Sequence, residues 1–183
     1  RLKRGVRMDF QFFVEKLKDS EEYKKFMKEF PDAFPFSGFF VLDLENLKNP
    51  DNKQHIDFYI PSKNKAFSFQ MEDNCKRVPV DIVDRGVKEI SFDNLIDFDE
   101  ITELVLNEMK ARKVKNKVQK ILLSLQDKDG KDFLIGTVFI SAFGLVKINI
   151  DVETLKVLDF EKKSFLDMLK ITRNKDNKKE NKK

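Results

Sequence analysis

The 183-residue chain has no Trp, one His and one Cys. A lone Cys forms no intrachain disulfide. The fold must therefore be held by burial and hydrogen bonding, and the composition suits a reducing compartment. One His and one Cys also cannot supply a zinc site of nitrogen and sulfur ligands. Glycine is scarce, with six residues. Neither GxGxxG nor GxxxxGK[ST] occurs, so no glycine loop is offered to a phosphate. No apolar run reaches the length of a membrane-spanning helix. The start lacks the apolar stretch of a signal peptide. The chain opens on Arg1 rather than Met, which reads as an appended or incomplete start. These absences lead to the expectation of a cytoplasmic protein with no cofactor, no metal and no membrane partner.

What is present is Phe and charge. There are 19 Phe against 2 Tyr, apolar residues make up 40% of the chain, and charged residues make up 37%. The chain is long enough to bury one medium core or two small ones. The net charge of +4 is misleading, because RLKRGVR at the start and RNKDNKKENKK at the end each contribute four net positive charges. The body between them is mildly acidic. Basic ends meet nucleic acid or anionic surfaces in some proteins, but they serve more often as solvated tails.

Two similar rhythms run along the body. In residues 9–29, Phe10, Phe13, Val14 and Leu17 mark one helical stripe. Tyr23, Phe26, Met27 and Phe30 mark another, shifted in phase at Asp19-Ser20. A kink or two short helices is expected there, ended by Pro31 and Pro35. Strand-like segments follow at 38–45, 55–60, 66–71, 78–83 and 87–92. A second helix is expected at 97–112, capped by Asp97 with Glu100 three residues on. Strands then follow at 118–126, 133–143, 145–151 and 155–160, with Asp129-Gly130 marking a tight hairpin. A last short helix from Ser164 would carry Phe165, Met168 and Leu169, and the chain beyond Thr172 reads as disordered.

The pattern is helix then antiparallel meander, twice over. The expected fold is α+β: two helix-plus-meander units, residues 8–93 and 94–172, packed into one compact protein, with a disordered basic tail at 173–183. FLIGTVFI (133–140) adds a constraint. Phe133, Ile135, Thr137 and Phe139 form one face, while Leu134, Gly136, Val138 and Ile140 form the other. Both faces are apolar, so this strand is expected to be covered on both sides, by a helix and by either the other unit or a second copy.

A helix followed by a meander that closes on INIDVETLKVLDFEKKS resembles the PepSY domain, whose fold is cystatin-like. The resemblance rests on a strand at 148–150, an Asp-containing turn at 151–154 and a strand at 155–160. The family's turn usually holds Thr-Gly; here Thr154 is present, but Leu155 stands in the glycine place. The first half has the same shape with neither Asp nor Gly in its turn at 61–64. The chain also looks like archaeal PepSY-like proteins with two such units, whose helical opening is similar to DSEEYKKFMKEFPDAF. The resemblance implies a binding or inhibitory role, often outside the membrane, and no catalytic residues.

The residues themselves lean the same way. His55 begins a strand with no nucleophile beside it in sequence, so it reads as an edge-strand histidine rather than a catalytic base. Cys75 precedes Lys76 and Arg77, charges that lower a thiol pKa, but a half-buried structural thiol is the simpler reading. DKDGKD (127–132) puts Gly130 in place four, not in the sixth place of a calcium loop, so the hairpin reading wins. Two candidate surfaces remain. Phe34, Phe36, Phe39 and Phe40 lie in FPDAFPFSGFF, which either closes the core or meets a protein or peptide, including a second copy. Lys110, Arg112, Lys113, Lys115, Lys117 and Lys120 form an acid-free run that would contact phosphates. No aromatic interleaves that run to stack on bases. A non-catalytic protein-binding module is the first reading, and a weak, sequence-independent nucleic-acid binder is the second.

Overall fold

The structure is a computed structural model and describes residues 9–81 and 86–164. Helices α1 (Phe10–Asp19) and α2 (Glu21–Glu29) meet at Ser20, the expected break. Ser20 ends the first helix with its N–H donating to the Leu17 carbonyl. It starts the second as N-cap, its hydroxyl accepting from Tyr23 N–H at 3.2 Å. One Ser serves both ends because it needs no helical φ/ψ of its own. Helix α3 (Phe98–Ala111) is capped by Asp97, whose carboxylate accepts from the N–H groups of Asp99 and Glu100.

Eight strands make one antiparallel sheet: β1 (Phe34–Asp43), β2 (Lys53–Ile60), β3 (Lys65–Gln70), β4 (Lys76–Val80), β5 (Val118–Lys128), β6 (Lys131–Ile140), β7 (Gly144–Asp151) and β8 (Lys156–Ser164). The order across the sheet is β4-β3-β2-β1-β5-β6-β7-β8. Each four-strand run is a meander that walks outward from the centre, and β1 pairs with β5 along the seam, from Ser37↔Gln126 to Asp43↔Lys120. The fold is thus α+β, as expected. The two halves join edge to edge through backbone pairing, rather than through packed faces.

All three helices lie against one face. Their rings interlock with those of the sheet: Phe10 against Phe40, Tyr23 and Phe26 against Phe58 and Phe69, Phe98 against Phe40. The scarcity of other aromatics explains the arrangement. Phe carries no polar atom, so edge-to-face pairs form without a hydrogen bond to satisfy. The same face continues into β5–β7 as Ile121, Leu123, Leu134, Val138, Ile148 and Ile150, all buried. Gly136 sits among them, and a Cβ placed there would lie 2.5 Å from Ile148 Cγ2. Gly136→Ala is therefore expected to overpack the core at a cost of about 2 kcal/mol, a fall of roughly 4–8 °C in Tm. A thermal melt within a degree of the parent would show that this layer is not close-packed.

Three sequence expectations need correction. Residues 87–92 alternate like a strand, but they join no ladder; Ile90 is buried and its N–H donates to the Pro35 carbonyl of β1, pinning the segment as a loop. β1 begins at Phe34 rather than Gly38, because Phe34 pairs with Tyr59 across a bulge between Pro35 and Ser37. The third concerns β6: Leu134, Val138 and Ile140 are buried, but Ile135 is 48% and Phe139 37% exposed. Among the described residues the other unit does not cover the outer face of β6, because the second meander extends the sheet instead of stacking on it; of the two expected covers, only the second copy is left. The end of the strand expected at 78–83, the helix expected from Ser164 and the tail at 173–183 fall outside the described residues.

Candidate functional site

The uncovered face can be read from the strand register. One row runs Gln70, His55, Phe39, Ser124, Ile135, Asn149 and Asp159 across β3, β2, β1, β5, β6, β7 and β8. Its neighbour holds Lys53, Val41, Leu122, Thr137, Lys147 and Glu161. The next holds Asp43, Lys120, Phe139, Leu145 and Lys163. A sheet with helices on one side only ordinarily alternates apolar-in with polar-out. Here the centre of the outer side is apolar (Phe39, Val41, Leu122, Phe133, Ile135, Phe139), and charge is kept to its borders.

The β1–β3 end of this face is polar. His55 Nε2 lies 2.7 Å from Glu72 Oε1, and its ring packs 5.8 Å from Phe39. Burial pushes the Asp57 carboxyl above the ordinary carboxylate range, opposed by a hydrogen bond with the Ser68 side chain. At the other end of β1, Asp43 accepts from three backbone N–H groups, Asp51 at 3.1 Å, Asn46 at 3.3 Å and Glu45 at 3.1 Å. Those bonds, that from Asp51 first, hold its carboxyl below the usual range, and Lys120 adds to the effect. Asp43 organises the loop before β2; its carboxylate is filled by its own backbone. The thiol of Cys75 is half-buried, and burial raises its pKa despite Lys16 nearby. The activating effect expected of its basic neighbours is absent, because desolvation of the thiolate outweighs them.

The four candidate Phe residues separate by strand alternation. Phe40 points inward, fully buried with its ring 4.7 Å from that of Phe98, so it closes the core and meets no partner. Phe34 and Phe39 face outward and half-buried, Phe34 against Tyr59 at 5.6 Å, while Phe36 sits half-buried at the bulge. The basic run separates too. Lys110 lies in the last turn of α3. Arg112 bonds Glu108 at 3.2 Å and covers the Phe160 ring at 4.7 Å. Lys120 stands on the outer face, 3.8 Å from Asp43. Lys113, Lys115 and Lys117 are exposed and make no ion pair among the described residues.

Two features escaped the sequence reading. Ile135 and Phe139 lie on the second apolar face of β6, which the sequence pattern marks as covered although both are exposed. Phe143, expected as the last residue of a strand at 133–143, instead lies 79% exposed at the tip of the β6–β7 turn, because β6 ends at Ile140. Among the described residues, no group of three or more His, Cys, Asp or Glu is placed to hold a metal ion, and no described helix is long and apolar enough to cross a membrane.

No family model matches the chain, and no curated protein matches it. Its fold is similar to that in the crystal structure of a "putative lipoprotein" from Clostridium difficile 630, at a TM-score of 0.51 and 11% identity, spanning 88% of this chain and 97% of that one. An identity this low speaks for the fold alone.

Proposed function

We propose that the protein is a non-catalytic binding module that takes a protein or peptide partner on the uncovered face of its sheet. The observation that carries this is the apolar centre of that face, with Ile135 48% and Phe139 37% exposed between half-buried Phe39, Leu122 and Phe133. Monomeric proteins seldom leave a contiguous apolar patch open on a sheet unless something binds it. Aromatic and aliphatic residues rimmed by charge are also the usual anatomy of an interface. The non-catalytic part of the reading is supported by His55, which is engaged by Glu72 beside a phenylalanine rather than a nucleophile. The same reading takes the two meanders as two cystatin-like, PepSY-like units, supported by their outward mirror order about the β1–β5 seam.

The test is Ile135→Glu. On a solvent-facing position it is expected to change stability by less than about 0.5 kcal/mol. It should abolish retention of any protein that co-purifies with the parent, and abolish any dimer seen by light scattering. A strict monomer that retains nothing, or a partner held equally well by the variant, would overturn the reading. A dimer lost on substitution would identify the partner as a second copy.

A further inference from the structure

The sequence offers an acid-free basic run with no aromatic to stack on bases, and the structure supplies the missing aromatic from 26 to 30 residues downstream. Ser141, in the β6–β7 turn, is tied to the start of β5. Its N–H donates to the Lys117 carbonyl at 2.8 Å, and its hydroxyl accepts from Lys117 N–H at 3.0 Å. Its carbonyl accepts from Asn116 Nδ2 at 2.9 Å. These bonds fix the turn against the basic run. Ala142 and Phe143 follow at φ of 62° and 53°, both in the left-handed region that a two-residue reversal normally fills with Asn or Gly. A bulky aromatic held there, 79% exposed, is a strained display of a ring to solvent. Strain of this kind concentrates at functional sites.

Beside the ring is a groove of about 340 Å³, lined by Gln119, Phe139, Ile140, Ala142, Phe143 and Leu145. The basic run reaches this turn at Lys117, whose backbone is bonded to Ser141; Lys113, Lys115 and Lys117, in the segment between α3 and β5, are exposed and make no ion pair among the described residues. Three acids on adjoining segments are already engaged. Asp43 lies 3.8 Å from Lys120, Glu161 is paired with Lys163 at 3.1 Å, and Glu45 accepts from Gln119 at 3.0 Å. The local balance is positive although the body of the chain is mildly acidic.

We propose that this end of the sheet binds single-stranded nucleic acid, with a base stacked on Phe143 over the groove and Lys113, Lys115 and Lys117 on the flanking phosphates. Unpaired bases and charged phosphates alternate along a single strand, and an exposed ring on a turn tied to an exposed basic run suits both. A duplex hides its base faces and has nothing to offer the ring. An anionic bilayer would be met by a convex apolar wedge, and here the apolar surface beside Phe143 is concave. This inference stands on residues separate from Ile135, so it survives or fails independently of the protein-binding reading.

The experiment uses the full chain and a fluorescein-labelled 16-nucleotide oligothymidylate, read by anisotropy between about 50 and 200 mM salt. Binding is expected to weaken with salt. Replacing Lys113, Lys115 and Lys117 together by Ala should lower the log–log salt slope by about 2, at roughly 0.7 per phosphate contact on a single strand. Phe143→Ala should weaken binding roughly 5- to 160-fold with the slope unchanged, the range expected of one lost base–aromatic stack. Both sites are exposed, and unchanged thermal melts confirm that the variants are folded. No binding at 50 mM salt would overturn the proposal. So would a Phe143→Ala variant that binds like the parent, or a duplex of equal length bound as tightly as the single strand. Binding to phosphatidylserine vesicles in place of the oligonucleotide would replace it with a membrane contact.

Discussion

Phe26→Ala is expected to lower the thermal midpoint by roughly 10 °C. Phe26 is fully buried on α2. Its ring centroid lies 5.1 Å from Phe69, 5.4 Å from Phe30, 5.7 Å from Phe58 and 6.0 Å from Phe67. The Arg77 guanidinium stands over it at 5.6 Å, and over Phe67 at 5.3 Å. Truncation therefore empties the point where α2 meets β2, β3 and β4. Burying a Phe and then deleting it costs about 3–5 kcal/mol, because the surrounding rings relax only partly into the cavity. In a chain of this length each kcal/mol moves the midpoint by roughly 2–4 °C. Arg77 adds to the cost. It is held by Glu22 at 2.9 Å and Glu29 at 3.5 Å, so it cannot swing away when the ring beneath it is removed. A fall of less than about 3 °C would mean that the aromatic cluster has room to collapse and is not a close-packed core.

The parts of this fold that were legible in the sequence are those set by neighbours in sequence. The break at Ser20, the cap at Asp97 and the hairpin at Asp129-Gly130, with φ of 56° and 80°, each depend on a few adjacent residues. The chemistry of those residues specifies the backbone. What was illegible depends on partners far along the chain. Residues 87–92 alternate as well as any strand, yet a strand needs an edge to pair with, and Ile90 instead donates its N–H to the Pro35 carbonyl. The seam between β1 and β5 joins residues 77 to 89 positions apart, from Asp43↔Lys120 to Ser37↔Gln126, and nothing local in either announces the other. The two apolar faces of β6 were legible as such. Which of them stays open was not, because that is decided by whether the halves stack or lie side by side. The candidate site suffers most from this limit. Lys117 was legible as part of the basic run, but its link to Phe143 was not, and the two acquire a joint meaning only through the hydrogen bonds of Ser141.

Leu123→Pro is the second large effect, and it asks whether the halves are one cooperative unit. Leu123 is fully buried on β5, opposite Phe40 of β1 and Gly136 of β6. Proline there removes a donor from a ladder in the middle of the sheet, where proline is essentially never tolerated, and withdraws a core side chain. A loss above about 3 kcal/mol is expected. Its distribution is the informative part. The helices also cross the seam: the α1 Phe10 N–H donates to the Ile96 carbonyl at 2.9 Å just ahead of α3, and the α3 Phe98 packs on Phe13 of α1 and Phe40 of β1. A break at the seam therefore loosens α1 as well as α3. In amide hydrogen exchange, protection should fall together across residues 56–69 of the first meander and 134–150 of the second, and the parent should melt in one transition. If 56–69 instead kept the parent's protection while 134–150 lost theirs, the first meander would be stable alone. The seam would then be a contact between two independent folds rather than the middle of one.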